Sequence, residues 1–163
     1  MSAYDEIRSR YASYEAAATL QLQLLSKAAV GLVNGFEKYL DLPQARLPNN
    51  DDGGLGQRYV RFGVGAPAEF EEKNWHALSS RGGVVDFSFA ITLDEPATHS
   101  RAVIVFENSV QFVDHGYEFK IKGVDTFTVG AADAVNNRFE AIYKALVDQL
   151  LNLYNSERIV IKR

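Results

Sequence analysis

Cysteine is missing altogether from the 163 residues. Disulfides, thiolate zinc sites, iron–sulfur clusters and cysteine nucleophiles are thereby excluded. Histidine is scarce: His76, His99 and His115 stand apart, none three or four residues from another. No zinc-ligand spacing results. No secretory leader is expected either, because Met1 to Glu6 shows no basic start followed by an apolar core. The longest apolar-looking stretch, Leu20 to Val33, is interrupted by Gln21, Gln23, Ser26 and Lys27, so no membrane span is expected. By elimination the expectation is a cytoplasmic protein with no membrane partner, no cofactor and no bound metal.

Basic charge is in deficit, with 17 Lys and Arg against 21 Asp and Glu, a net charge of −4. An acidic chain is repelled by a phosphate backbone unless its bases are focused, which disfavours nucleic acid as a partner. The acids concentrate between Asp51 and Glu95, while the segment from Arg138 onward is slightly basic. Hydrophobic residues at 47% and charged residues at 23% are ordinary proportions for a globular domain, so general disorder is not expected. The length fits one domain, 1–163.

Pattern then assigns the elements. Ser2 and Asp5 resemble a capping box. Tyr4, Ile7, Tyr11, Tyr14, Ala18, Leu22, Leu25, Ala29, Leu32, Phe36 and Tyr39 follow at helical spacing, and Pro43 disfavours helix at Leu42. A helix over 1–41 would be roughly 60 Å long. A compact domain of this size is only about 40 Å across. The helix must therefore break, project, or pack on a partner chain. Gly31 and Gly35, four apart on one face, suit either a close internal contact or a homodimer seam through this helix.

Pro43 to Gly56 reads as loop. An antiparallel sheet is predicted over 57–129. Val85, Phe87, Phe89, Ile91 and Leu93 alternate with Asp86, Ser88 and Thr92, and Tyr117, Phe119 and Ile121 alternate with Glu118, Lys120 and Lys122. Arg101 to Phe106 is apolar on both sides, as a central strand should be. The short connections imply a meander. A second helix over 131–155, with Val135, Phe139, Ile142, Leu146, Leu150 and Leu153 as its stripe, and a last strand over 157–162 complete the pattern. The fold class is α+β: a long N-terminal helix, a mainly antiparallel sheet of about five to seven strands, and a C-terminal helix followed by a strand.

Two sets of residues stand out as chemistry. Glu118-Phe119-Lys120 reads Glu-x-Lys on a strand, preceded by Asp86 or Asp94. This resembles magnesium-dependent nucleases of the PD-(D/E)XK type, where such acids hold the metal and the lysine assists the attacking water. The resemblance implies Asp86, Asp94, Glu118 and Lys120 as catalytic residues. Alternating polar residues on the same strands instead imply a solvated sheet face carrying a cross-strand charge pair. The second set is Asp51, Asp52, Glu69, Glu71 and Glu72 with the single Trp75. Acids beside a large aromatic suit a basic protein partner, as in an immunity protein, an inhibitor or a chaperone. The leading expectation is such a non-catalytic binding protein, with the nuclease as alternative.

Overall fold

The computed structural model describes residues 2–48 and 56–161. Helix α1 runs unbroken from Ala3 to Tyr39. Its first turn is held as the sequence implies: the Ser2 hydroxyl accepts the Asp5 amide at 3.2 Å, and the Asp5 carboxylate accepts the Ser2 amide at 3.3 Å. Acid-before-base pairs Asp5–Arg8 and Glu6–Arg10 support the next two turns.

The sheet contains β1 (Val60–Val64), β2 (Glu71–Glu72), β3 (Ser80–Arg81), β4 (Val84–Glu95), β5 (Ser100–Val113), β6 (Gly116–Ile121) and β7 (Asp125–Gly130). Its order is β2-β1-β4-β5-β6-β7, with β3 paired to the start of β4, and every pairing is antiparallel. β4 to β7 form the predicted meander. β5 has neighbours on both sides only from Asn108 onward; Arg101–Phe106, expected to be central, pairs with β4 alone and leaves Val103 exposed. The region from Glu69 to Leu78, where sequence suggests a helical turn, holds two short 3-10 turns, Pro67–Glu69 and Trp75–Ala77, around β2.

One face of the sheet carries the core. Phe87, Phe89, Phe106, Val110 and Phe119 lie buried beneath α1 and α3 (Glu140–Leu153). Phe36 meets Phe89 edge-on and stacks on Tyr143, while Phe119 meets Phe139 edge-on. Burying Leu25, Leu32 and Phe36 fully contributes about 1.5–3 kcal/mol each. These contacts hold only the second half of α1.

The second predicted helix is divided. α2 covers Ala131–Val135, and the chain reverses at Asn137, whose φ of 54° is left-handed, before α3 begins. Asparagine tolerates that conformation and often ends helices. The break turns Val135 out of the expected stripe, leaving it exposed. Over its described residues, 157–161, the expected last strand does not form: Ser156–Arg158 is one 3-10 turn, and Ile159 and Ile161, expected inward, are exposed. Three β-branched residues in a row satisfy the strand pattern, but no core surface receives them.

Gly35 resolves the question of the paired glycines. A Cβ there would meet the Tyr143 hydroxyl at 2.1 Å, and that buried hydroxyl donates to the Leu32 carbonyl at 2.9 Å. At Gly31 a Cβ would meet only the tip of the exposed Asn137 side chain, at 2.4 Å. Gly35 is thus a close internal contact. Gly35→Ala is expected to destabilise the protein by about 2–3 kcal/mol through overpacking. Gly31→Ala should be neutral or gain up to about 1 kcal/mol of helix propensity. Urea unfolding of the two variants provides the measurement; equal losses in both would contradict this account.

The same tyrosine links stability to pH. Burial, reinforced by nearby Glu140, pushes the Tyr143 hydroxyl far above the usual tyrosine value of 10.0, and burial raises Tyr117 as well. The folded state thus favours neutral tyrosine, and the unfolded chain loses its phenolic protons first. This contribution is complete below about pH 10 and is lost as pH climbs through the raised folded values. Tyr143→Phe should flatten the alkaline decline in urea midpoint between about pH 10 and 12. An unchanged decline would contradict the assignment.

Candidate functional site

Strand register places the nuclease-like residues exactly enough to test them as a group. Asp86 lies opposite Ser109 on β5, and Ser109 lies opposite Lys120 on β6, so these three share a row across the second face of the sheet. Glu118 belongs to the next row, opposite Gln111. With strands about 4.8 Å apart, Asp86 and Glu118 are roughly 12 Å apart at Cα. Asp94 is paired with Arg101, eight residues further along β4, roughly 26 Å from Asp86. The sheet therefore gathers Asp86 and Lys120 into one neighbourhood, leaves Glu118 at its margin, and removes Asp94.

The gathered charges are compensated. Glu118 accepts from Gln111 at 2.8 Å and lies 3.9 Å from Lys120. Asp86 pairs with Arg81 at 3.3 Å. Glu107, opposite Ser88, pairs with Lys122 at 3.0 Å. Glu107 and Lys122 complete the cluster, and the parity of β5 carries the signal for Glu107: it alternates with the buried Phe106 and Asn108. An open groove of about 470 Å³ runs between Asp86, Glu107, Lys120 and Lys122. A second hollow, of about 320 Å³, shares Asp86 and Glu107 and is closed by Gly65 and Ala66. Among the described residues, no group of three His, Asp or Glu side chains is arranged to hold a metal ion.

This second face is less wet than alternation suggests. Ser88 and Thr92 are buried, and the Ser88 hydroxyl donates to the Gly65 carbonyl at 2.7 Å. Water reaches the charged rows over β5 to β7, while the segment following β1 covers the middle of β4.

The acidic set divides in the same way. Asp51 and Asp52 lie outside the described residues. Glu69, Glu71 and Glu72 are exposed along the β2 edge, with Lys73 3.2 Å from Glu71. Gly63 and Gly65 permit this edge, because a Cβ at either would strike the carbonyl of Glu71 or Glu69 at 2.1 or 2.5 Å. Trp75 is half-buried, its ring tilted by 31° against that of His76 with ring centres 3.6 Å apart, and it shares a hollow with Val30 and Asn34 of α1 and with Phe62. The 3-10 turn that carries it packs against α1.

Among the described residues, the first half of α1 is unpartnered, so of the three outcomes its length allowed the helix projects. Every described residue from Ser2 to Leu20 is exposed. Tyr4, Ile7, Tyr11 and Tyr14 are 67%, 66%, 62% and 69% exposed, and buried positions begin only at Leu25. At 100° per residue, these four and Ala18 fall within the same window of about 80° as Leu25, Ala29, Leu32 and Phe36. One continuous apolar stripe thus serves the core in its second half and stands in solvent in its first. α1 is also long and apolar enough to cross a membrane by length and composition alone, although part of that stretch lies in the core.

Comparison with protein-family models, curated proteins and solved structures finds no match to this chain.

The paired charges lead to a defined expectation for metal chemistry. Titration calorimetry with magnesium should register no specific binding, and Glu118→Ala should shift stability by no more than about 0.5 kcal/mol. Magnesium binding that disappears in Glu118→Ala would restore the nuclease reading.

Proposed function

We propose that this is a non-catalytic protein-binding protein, of the general kind that includes immunity proteins, inhibitors and chaperones. The observation that carries the reading is the N-terminal arm: about five turns of stable helix presenting three tyrosines and an isoleucine to water on one side. Contiguous apolar surface of this kind marks contact sites, and tyrosine is favoured in them because its ring is buried while its hydroxyl stays hydrated.

Charge distinguishes protein from lipid as the arm's target. A helix that lies on a membrane carries many Lys and Arg on its polar side. This arm has Arg8 and Arg10 against Asp5, Glu6 and Glu15, and both arginines are engaged by acids on the same helix. Anionic lipid gains little from it. The exposed Glu69, Glu71 and Glu72 add a second, electrostatic element on the β2 edge, suited to steering a basic protein toward the surface.

Replacing Tyr11 and Tyr14 together by glutamate should abolish partner capture while leaving the unfolding free energy within about 0.5 kcal/mol of wild type, since both side chains are already exposed. Reversing Glu69, Glu71 and Glu72 to lysine should lower the association rate and its salt dependence, with little change in dissociation. An association rate indifferent to salt would remove the acidic edge from the proposal. Capture unaffected by the tyrosine substitutions would remove the arm.

A further inference from the structure

The arm's own sequence points to its occupant. Resting on the reading of the arm as a contact surface, we infer that the arms of two copies pair antiparallel, residues 4–21 of one against 21–4 of the other.

Three observations converge on this arrangement. The first is the phase of the stripe. Tyr4, Ile7, Tyr11, Tyr14 and Ala18 follow the three-four alternation of a two-helix seam. Because that stripe is collinear with the one buried on the sheet, a helix laid against the arm lies on the same side as the body and meets it end-on. A Cβ built on Gly83, in the β3–β4 turn, would lie 3.7 Å from the Gln21 side chain, so the body begins beside Gln21. The free seam is therefore limited to about eighteen residues. An antiparallel partner fills that length and carries its own body beyond the far end. A parallel partner would bring both bodies to the same end of the seam, where each stripe already serves its own sheet.

The second observation is complementarity within that register. Ile7 faces Ala18 of the second copy, the larger side chain against the smaller. Tyr11 faces Tyr14 at the centre, and Tyr4 faces Gln21 at each end, where hydroxyl and amide can meet. The flanking charges then match: Arg8 of one copy lies beside Glu15 of the other, twice by symmetry. Such an interface uses the same patch on both copies and closes without leaving a free end.

The third is area. A fully covered tyrosine buries 150–250 Å², so three tyrosines and an isoleucine that are two-thirds exposed offer on the order of 500 Å² per arm. Two arms supply about 1,000 Å², the lower bound for a specific interface.

The full-length chain is the test object. Sedimentation velocity should give twice the 18.1 kDa chain mass, and Tyr11→Glu should return the monomer with an unchanged circular dichroism spectrum. Glu15→Arg should weaken the dimer about tenfold. Arg8→Glu should restore it in the antiparallel register, whereas a parallel pair would be restored by Arg10→Glu instead. Since the chain lacks cysteine, crosslinking gives an independent readout: Ile7→Cys and Ala18→Cys variants should oxidise to a mixed dimer, and Ile7→Cys alone should not. A monomeric wild type at about 100 µM, well above a micromolar dissociation constant, overturns the inference. If that monomer captures another protein through Tyr11, the pairing fails while the binding reading survives. If it co-sediments with anionic vesicles through Tyr11, both fail. Rescue by Arg10→Glu alone, or crosslinking of Ile7→Cys with itself, overturns the antiparallel register.

Discussion

A straight helix of 37 residues, about 56 Å long, cannot keep one face against a sheet that accommodates only half of it. That mismatch governs the rest of the structure. The second half is fixed where Phe36 wedges between Phe89 and Tyr143 and where Gly35 lets the Tyr143 hydroxyl reach the Leu32 carbonyl. Once that contact is set, the direction of the first half is set as well, because no residue between Ser2 and Leu20 is a proline or glycine that would bend it. The arm stays helical for local reasons: a capping box, acid-before-base pairs, and a run rich in alanine and leucine. Its nucleation has already been accomplished by the buried turns, so it does not face the penalty of an isolated helix of that length.

The charged sheet face shows how residue types and chemistry come apart. Aspartate, glutamate and lysine at suggestive intervals are common on any half-exposed sheet, since alternation alone places them there. What an acid-metal site needs is convergence of uncompensated carboxylates. Here, antiparallel register spreads Asp86, Glu118 and Asp94 along and across the sheet, and Arg81, Lys120, Gln111 and Arg101 lie beside them. The same residues on strands of another register would make a different molecule. Register is therefore the decisive quantity, and it is set by the buried side: Phe87, Phe89, Phe106 and Phe119 fix which residues face one another.

This explains which parts were legible in the sequence. The capping box, the three-four stripe, the clean alternation of β4 and β6, and the short turns of the meander are local signals, and each specifies its element. The break at Asn136-Asn137 is a weaker local signal, since asparagine occurs in helices as well as at their ends. The strand expected at 157–162 depends on more than local pattern. Ile159, Val160 and Ile161 have strand propensity, but a strand exists only where an edge is available and oriented to pair with it. Likewise, Trp75 and the glutamates near it could be listed from sequence. That the turn carrying the tryptophan packs against α1 depends on residues distant in sequence.

The position of the body on α1 bears equally on function. A stripe that ran wholly over the sheet would be a core helix, and one that was wholly free would be a coiled-coil tail. Here the stripe passes from one environment to the other at Gln21 without changing face or register. Any helix that docks on the arm is consequently aligned with the core helix and butts against the same domain edge, so the body acts as a stop. In the proposed dimer, the seam's length, its polarity preference and the separation of the two bodies would all follow from where the sheet ends beneath α1. In this protein the boundary of the hydrophobic core also sets the dimensions of its most exposed surface.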